Sequence, residues 1–406
     1  MRIITAKYIL PMRGEFEALS NHAIKFEKNI VSLAPISNLN ADEKGILEDF
    51  GDAVIMPALS NTHTHLEYSA NVASLAYGDF ANWLKSVFAH RDALSAEDKK
   101  AAMKRGLGEM VRSGVGAIGE ISSFGADIDL FEDCGARVVY FCEILGSNPA
   151  IFETAENGWR TRMAAAKERK SELFTPAVSV HSPYSTHPAL AKVALKAARE
   201  NDLLVSAHFM ESEHEKEWLE CGSGAFGEIF SRFSPNPKPL YAGGNEFLAQ
   251  FAGIRTIFAH FVWGEEYLGA LDQRLHFIAH CPRSNRLLSR RALNLETASQ
   301  KVSVSIGTDG LSSNFSLNIW DELRAALFTH DKADLRELAR DLLVMATANG
   351  ARTLGLNSGV LEVGKAADLA IFAGLGEVEP EQLALQLILH TNEAKALFIN
   401  GDKVQI

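Results

Sequence analysis

Cysteine is scarce in this 406-residue chain: Cys134, Cys142, Cys221 and Cys281 are the only four, and no two form a C-x-x-C pair. That argues against a disulfide framework and a zinc–thiolate cluster and leaves free thiols in a reducing compartment. Long apolar runs are missing too. No stretch of about 18 apolar residues occurs, so no helical membrane span is expected. The start, "MRIITAKYILPMRGEFEAL", lacks the apolar h-region and cleavage site of a signal peptide. The expected compartment is the cytoplasm. Basic runs are absent as well. Lys and Arg total 40 against 51 Asp and Glu, a net charge of -11, with no aromatic–basic interleaving. A nucleic-acid partner is therefore not expected, and a small molecule is. The net charge does not exclude an anionic substrate, because a pocket can differ from the whole surface.

What is present is a rhythm of short apolar runs suited to buried parallel strands, separated by helix-compatible stretches. Eight runs stand out: 54–61, 114–121, 136–145, 175–182, 203–209, 255–261, 275–281 and 302–309. Between them, "SAEDKKAAMKRGLGEMVRSG" has Ser95 as a helix N-cap and Gly114 at its C-terminal end. "HPALAKVALKAAREN" has Pro188 in its first turn. The expected fold class is α/β, a distorted (β/α)8 TIM-type barrel over residues 57–357. A doubly wound open sheet is the competitor. Residues 1–56 and 358–406 alternate like strands and are expected to meet in one small β-domain.

Ionisable residues gather where the strands end. His63 and His65 close the first run, His181 the fourth, His208 the fifth, His260 the sixth, His280 the seventh and Asp309 the eighth. In a TIM-type barrel those ends form the active-site face. Side chains at i and i+2 of a strand point the same way, so His63 and His65 can share one metal ion. His208 and Asp309 can close the shell with a third imidazole and a carboxylate, a donor set that suits zinc and also iron(II). A lone strand-end histidine is usually structural, and His280 is read so. Glu211, three residues past His208, is placed to shuttle protons. The other acids of "ESEHEKEWLE" read as a solvated helix face.

"PALSNTHTHLEYS", "HSPYS", "SAHFMESE", "HCPRSN", "IGTDGLSSNFSLNIWDEL" and "LEVGKAADLAIF" together resemble the amidohydrolase superfamily, in its cytosine/adenosine-deaminase-like branch. The resemblance implies metal ligation by His63, His65, His208 and Asp309, general acid/base work by Glu211, and proton acceptance by Asp309. It makes His260 the strand-6 histidine that hydrogen-bonds the attacking water or the tetrahedral intermediate, and His181 a pocket histidine. No lysine ends strand 4, so one divalent transition metal per chain is implied, zinc first and iron(II) second.

Within that branch, "HLEYS" followed by "YGDFANWLKSVFAHR" is most similar to the 6-aminodeoxyfutalosine deaminases of menaquinone biosynthesis. Adenosylhomocysteine deaminases carry a ribose-binding glutamate in an F-x-E-W-L-like stretch, where this chain has Asn82 before Trp83. Glu67 is then read either as a substitute grip on ribose hydroxyls or as a loop acid capping backbone amides. Glu143, and less so Glu120, can line the sugar pocket or pair structurally with arginines such as Arg137. Arg283 can hold the benzoate of the substrate or salt-bridge a loop acid. The alternatives are a sibling adenosine, methylthioadenosine or S-adenosylhomocysteine deaminase, a chlorohydrolase, or a barrel without catalysis. A homodimer is the default assembly.

Overall fold

The structure is a computed structural model and describes residues 1–14, 16–70, 73–90, 94–232 and 235–406. Eight parallel strands lie side by side in chain order. They are strand 1 (Leu59–Thr64), strand 2 (Val115–Ser122), strand 3 (Arg137–Ile144), strand 4 (Phe174–Val180), strand 5 (Val205–Phe209), strand 6 (Thr256–His260), strand 7 (His276–His280) and strand 8 (Ser303–Ile306). Strands 1 and 8 share no ladder; Thr62 Oγ1 donates to Ile306 O at 2.9 Å and Asp309 N to His63 O at 2.9 Å. Those contacts close a distorted (β/α)8 barrel.

Alternation sorts each strand into two faces. Val138, Tyr140 and Cys142 pack with Trp159 and Met163 of the covering helix Phe152–Glu168. Val139 and Phe141 join Ile121, Ala177, Ile257 and Ala279 in a separate cluster inside the barrel. Glu143 shares their parity and faces inward. Glu120, two residues past outward-packed Ile118, faces outward.

The first apolar run divides. Ala53–Pro57 leaves the barrel and pairs antiparallel with Leu369–Ala373, and barrel strand 1 starts only at Leu59. Pro57 and Ala58 carry the chain between the sheets. A five-stranded sheet thus joins Tyr8–Ile9 and Ala53–Pro57 to three C-terminal strands, Leu369–Ala373, Ala394–Ile399 and Asp402–Val404. Four N-terminal strands form a second sheet, and Ile4, Phe26, Ile55, Leu369 and Phe398 are buried together in their own core.

The helix ends obey their local chemistry. Ser95 accepts from Asp98 N at 3.1 Å at the start of Ala96–Arg112, and Pro188 opens Pro188–Asn201. Gly114 follows the first of these at φ +93, and a Cβ there would lie 2.7 Å from the Phe372 ring. Glycine is required for the tight entry into strand 2. No helix among the described residues is long and apolar enough to cross a membrane.

Candidate active site

At the C-terminal end of the barrel, three imidazoles converge. His65 Nε2 lies 3.2 Å from His63 Nε2 and 3.1 Å from His208 Nε2. All three residues are buried. His208 Nδ1 lies 2.9 Å from His181 O; a carbonyl only accepts, so Nδ1 carries the hydrogen and Nε2 presents a lone pair. Asp309 Oδ1 lies 3.9 Å from His63 Nε2 and 3.8 Å from His65 Nε2. Ligands about 2.0–2.1 Å from a tetrahedral zinc stand about 3.3 Å apart; these nitrogen separations match that spacing and the Asp309 oxygen stands somewhat wider, a donor set suited to one divalent cation. The Nδ1–carbonyl bond of His208 is the kind of outer contact that orients a metal ligand.

Asp309 is held from two sides. Ser284 Oγ donates to its Oδ2 at 2.7 Å, and Gly310 N to its Oδ1 at 2.7 Å. Burial alone raises its carboxyl, but His260, His65, His63 and the Ser284 hydroxyl outweigh that and hold it below the usual range. Glu211 goes the other way. Burial first, then the Asp309 and Glu215 carboxylates, push it well above the usual range. His260 stands between them, its Nε2 3.7 Å from Glu211 Oε1 and 3.9 Å from Asp309 Oδ2. Two carboxyls pushed apart in this way are suited to opposite proton roles. Backbone strain marks the same place: Met210 (φ 52), His260 (φ 70) and Asp309 (φ 58) adopt left-handed conformations.

Two pocket expectations lie beside this cluster. Ligating atoms of Glu143, His181 and His208 fall within 4.8 Å of one another. Glu143 is buried and accepts from Ser123 Oγ at 2.5 Å and Ser179 Oγ at 3.1 Å. His181 is half-buried, with Nδ1 against the Ser182 and Ser185 hydroxyls, leaving Nε2 for a ligand.

The remaining expected pocket residues make contacts within the protein. Glu67 grips its own fold: its carboxylate accepts from Ser123 N at 2.7 Å, Phe124 N at 2.8 Å and Ala126 N at 2.8 Å. Burial and nearby Asp127 push its pKa up to about 8, against those three amides. It braces the loop after strand 2, the capping alternative. Arg283 is buried, donating to Glu322 at 2.6 Å and to Ser316 O at 2.9 Å, the salt-bridge alternative. Asn82 is exposed on the helix Phe80–His90, and Trp83 Nε1 donates to Ser312 O at 2.7 Å. Neither reaches the cluster through a polar contact among the described residues. Glu120 accepts from Leu66 N at 2.8 Å, while Arg137 pairs with Asp368 at 2.6 Å.

Three supporting residues escape a reading of the sequence alone. Glu215, expected on a solvated face, is fully buried and accepts from Met210 N and Glu211 N, each at 2.9 Å. Ser284 and Asn285 both stand in "HCPRSN", where Arg283 is the residue that draws notice. A test follows for that arginine. Arg283→Met leaves buried Glu322 without its cation and is expected to destabilise by about 3–5 kcal/mol. Thermal unfolding measures the loss, and KM stays unchanged if no substrate group binds there.

The sequence model of the amidohydrolase family matches residues 54–404. The chain belongs to the amidohydrolase family. This amidohydrolase is 39% identical to the aminodeoxyfutalosine deaminase of a Nitratiruptor species, over 99% of both chains. It is 35% identical to an adenosine deaminase of Helicobacter pylori, again over 99% of both. The crystal structure of Helicobacter pylori aminofutalosine deaminase in complex with methylthio-coformycin matches it with a TM-score of 0.95 at 35% identity, covering 100% of each chain.

Proposed function

We propose that this amidohydrolase removes the 6-amino group of a purine nucleoside, converting 6-aminodeoxyfutalosine to futalosine and ammonia in menaquinone biosynthesis. One observation carries the chemistry: Glu211, His260 and Asp309 bring their reactive atoms within 4.8 Å of one another beside three convergent imidazoles. The full-length relation to an aminodeoxyfutalosine deaminase supports the substrate.

His63, His65, His208 and Asp309 would hold one zinc ion, or iron(II). When bound, the metal lowers the pKa of water toward neutrality and so supplies a nucleophile. The remaining steps belong to side chains. Asp309, anionic at neutral pH, accepts a proton from the attacking water. Glu211, kept protonated by burial, donates to the ring nitrogen beside C6, which makes that carbon electrophilic. His260 hydrogen-bonds the oxygen as the tetrahedral centre forms. Proton return to the departing nitrogen releases ammonia. Glu143 and His181 line the side of the pocket nearest His208 and are assigned to the sugar and base edge.

A nucleoside panel tests this reading. Purified, metal-loaded enzyme is incubated with 6-aminodeoxyfutalosine, adenosine, methylthioadenosine and S-adenosylhomocysteine, and ammonia release and purine absorbance are followed. The expected result is the highest kcat/KM for 6-aminodeoxyfutalosine. A clear preference for adenosine would favour the second reading, which the adenosine deaminase relative supports. No ammonia from any nucleoside would overturn both.

A further inference from the structure

The first turn of the helix Pro282–Ser289 sends consecutive side chains in three directions. Arg283 goes to Glu322, Ser284 to Asp309, and Asn285 to His260. Asn285 Oδ1 lies 2.9 Å from His260 Nδ1, and both residues are fully buried. On the other side of the amide, Asn285 Nδ2 makes a long 3.5 Å contact to His280 Nδ1. His280 Nε2 then lies 3.0 Å from His330 Nε2, just past the helix Ile319–Thr329.

With the Asn285 amide oriented as in the structure, Oδ1 toward His260 and Nδ2 toward His280, donor and acceptor rules give this chain one polarity. The amide nitrogen only donates, so His280 Nδ1 is the acceptor and its hydrogen sits on Nε2, aimed at a lone pair on His330 Nε2. Burial lowers the pKa of both His280 and His330, which keeps that pair neutral. The amide oxygen only accepts, so His260 carries its hydrogen on Nδ1. His260 Nε2 is then a lone pair, buried, with no partner, facing the space between Glu211 and Asp309.

We propose that Asn285 is a positioning residue, oriented by His280 and His330, that sets the tautomer and ring plane of His260 so that Nε2 accepts a hydrogen bond from the attacking water while Asp309 takes the proton. The catalytic consequence rests on the deaminase reading above. Unaided, free imidazole favours hydrogen on Nε2, which would point a donor at that water.

The test pairs kinetics with a readout independent of turnover. Asn285→Leu keeps size and removes both polar atoms. It is expected to lower kcat by about 30- to 100-fold, at or just below the lower end of a general acid–base contribution, with KM changed less than about 3-fold and metal content unaltered. Two-bond 1H–15N correlation spectra of 15N-histidine-labelled enzyme, with His260 assigned through His260→Ala, read the tautomer directly. Wild type should show hydrogen on Nδ1, and N285L should shift it to Nε2. Hydrogen on Nε2 in wild type overturns the proposal even if N285L does not fold. So does an unchanged tautomer or an unchanged kcat in a folded N285L. If wild type deaminates no nucleoside, the functional reading fails while the spectrum still decides the tautomer.

Discussion

Glu211→Gln is expected to lower kcat by at least about 10³-fold, toward the upper end of what a general acid–base contributes. The substitution keeps the shape of the side chain and removes its ionisable proton. The loop that carries it stays in place, because Glu215 holds the backbone amides of Met210 and Glu211, and Ser289 Oγ donates to Glu211 O. Glu211 makes no contact to the three imidazoles as a ligand, so metal content should remain near one per chain. KM should change little, since ring protonation matters in the transition state more than in the bound substrate. Steady-state kinetics with metal analysis on the same preparation decides it. A Gln variant with full activity would sink the assignment.

Loss of the metal should cost as much or more. His208→Ala removes one of the two nitrogens that lie within 3.2 Å of His65 Nε2, and leaves His63 and His65 with Asp309 alone. Expected outcomes are metal content well below one per chain and turnover reduced more than about 10³-fold, because without the metal nothing lowers the pKa of water toward neutrality for Asp309 to deprotonate. Chelation of the wild-type enzyme should have the same effect and be reversed by zinc or iron(II), whereas the variant should not recover. Elemental analysis before and after chelation, alongside ammonia release, checks both. Chelation that strips the metal and leaves turnover intact would exclude it from the reaction.

Legibility follows distance along the chain. His63 and His65 are readable because strand alternation puts i and i+2 on one side, a local rule. The strand count is readable because burial on both faces writes itself as apolar runs. The first run misleads because apolar residues look alike in any buried strand. Only pairing shows that Ala53–Pro57 belongs with Leu369–Ala373. Glu67 and Arg283 are ambiguous for a similar reason. A carboxylate or guanidinium next to ligand residues looks free until its partner is known, and those partners, the Ser123, Phe124 and Ala126 amides and Glu322, lie 56, 57, 59 and 39 positions away.

The barrel and the residue types at its strand ends are therefore written in the chain itself, since periodic burial and alternation are properties of one strand at a time. Which polar residues face the reaction and which brace the fold emerges only on folding. A buried polar group must find a partner. For Glu215, Ser284 and Asn285, folding makes that partner the Glu211 backbone, Asp309 and His260, the groups proposed to act in catalysis; for Glu67 it is the loop after strand 2, and for Arg283 it is Glu322 on the helix Ile319–Thr329.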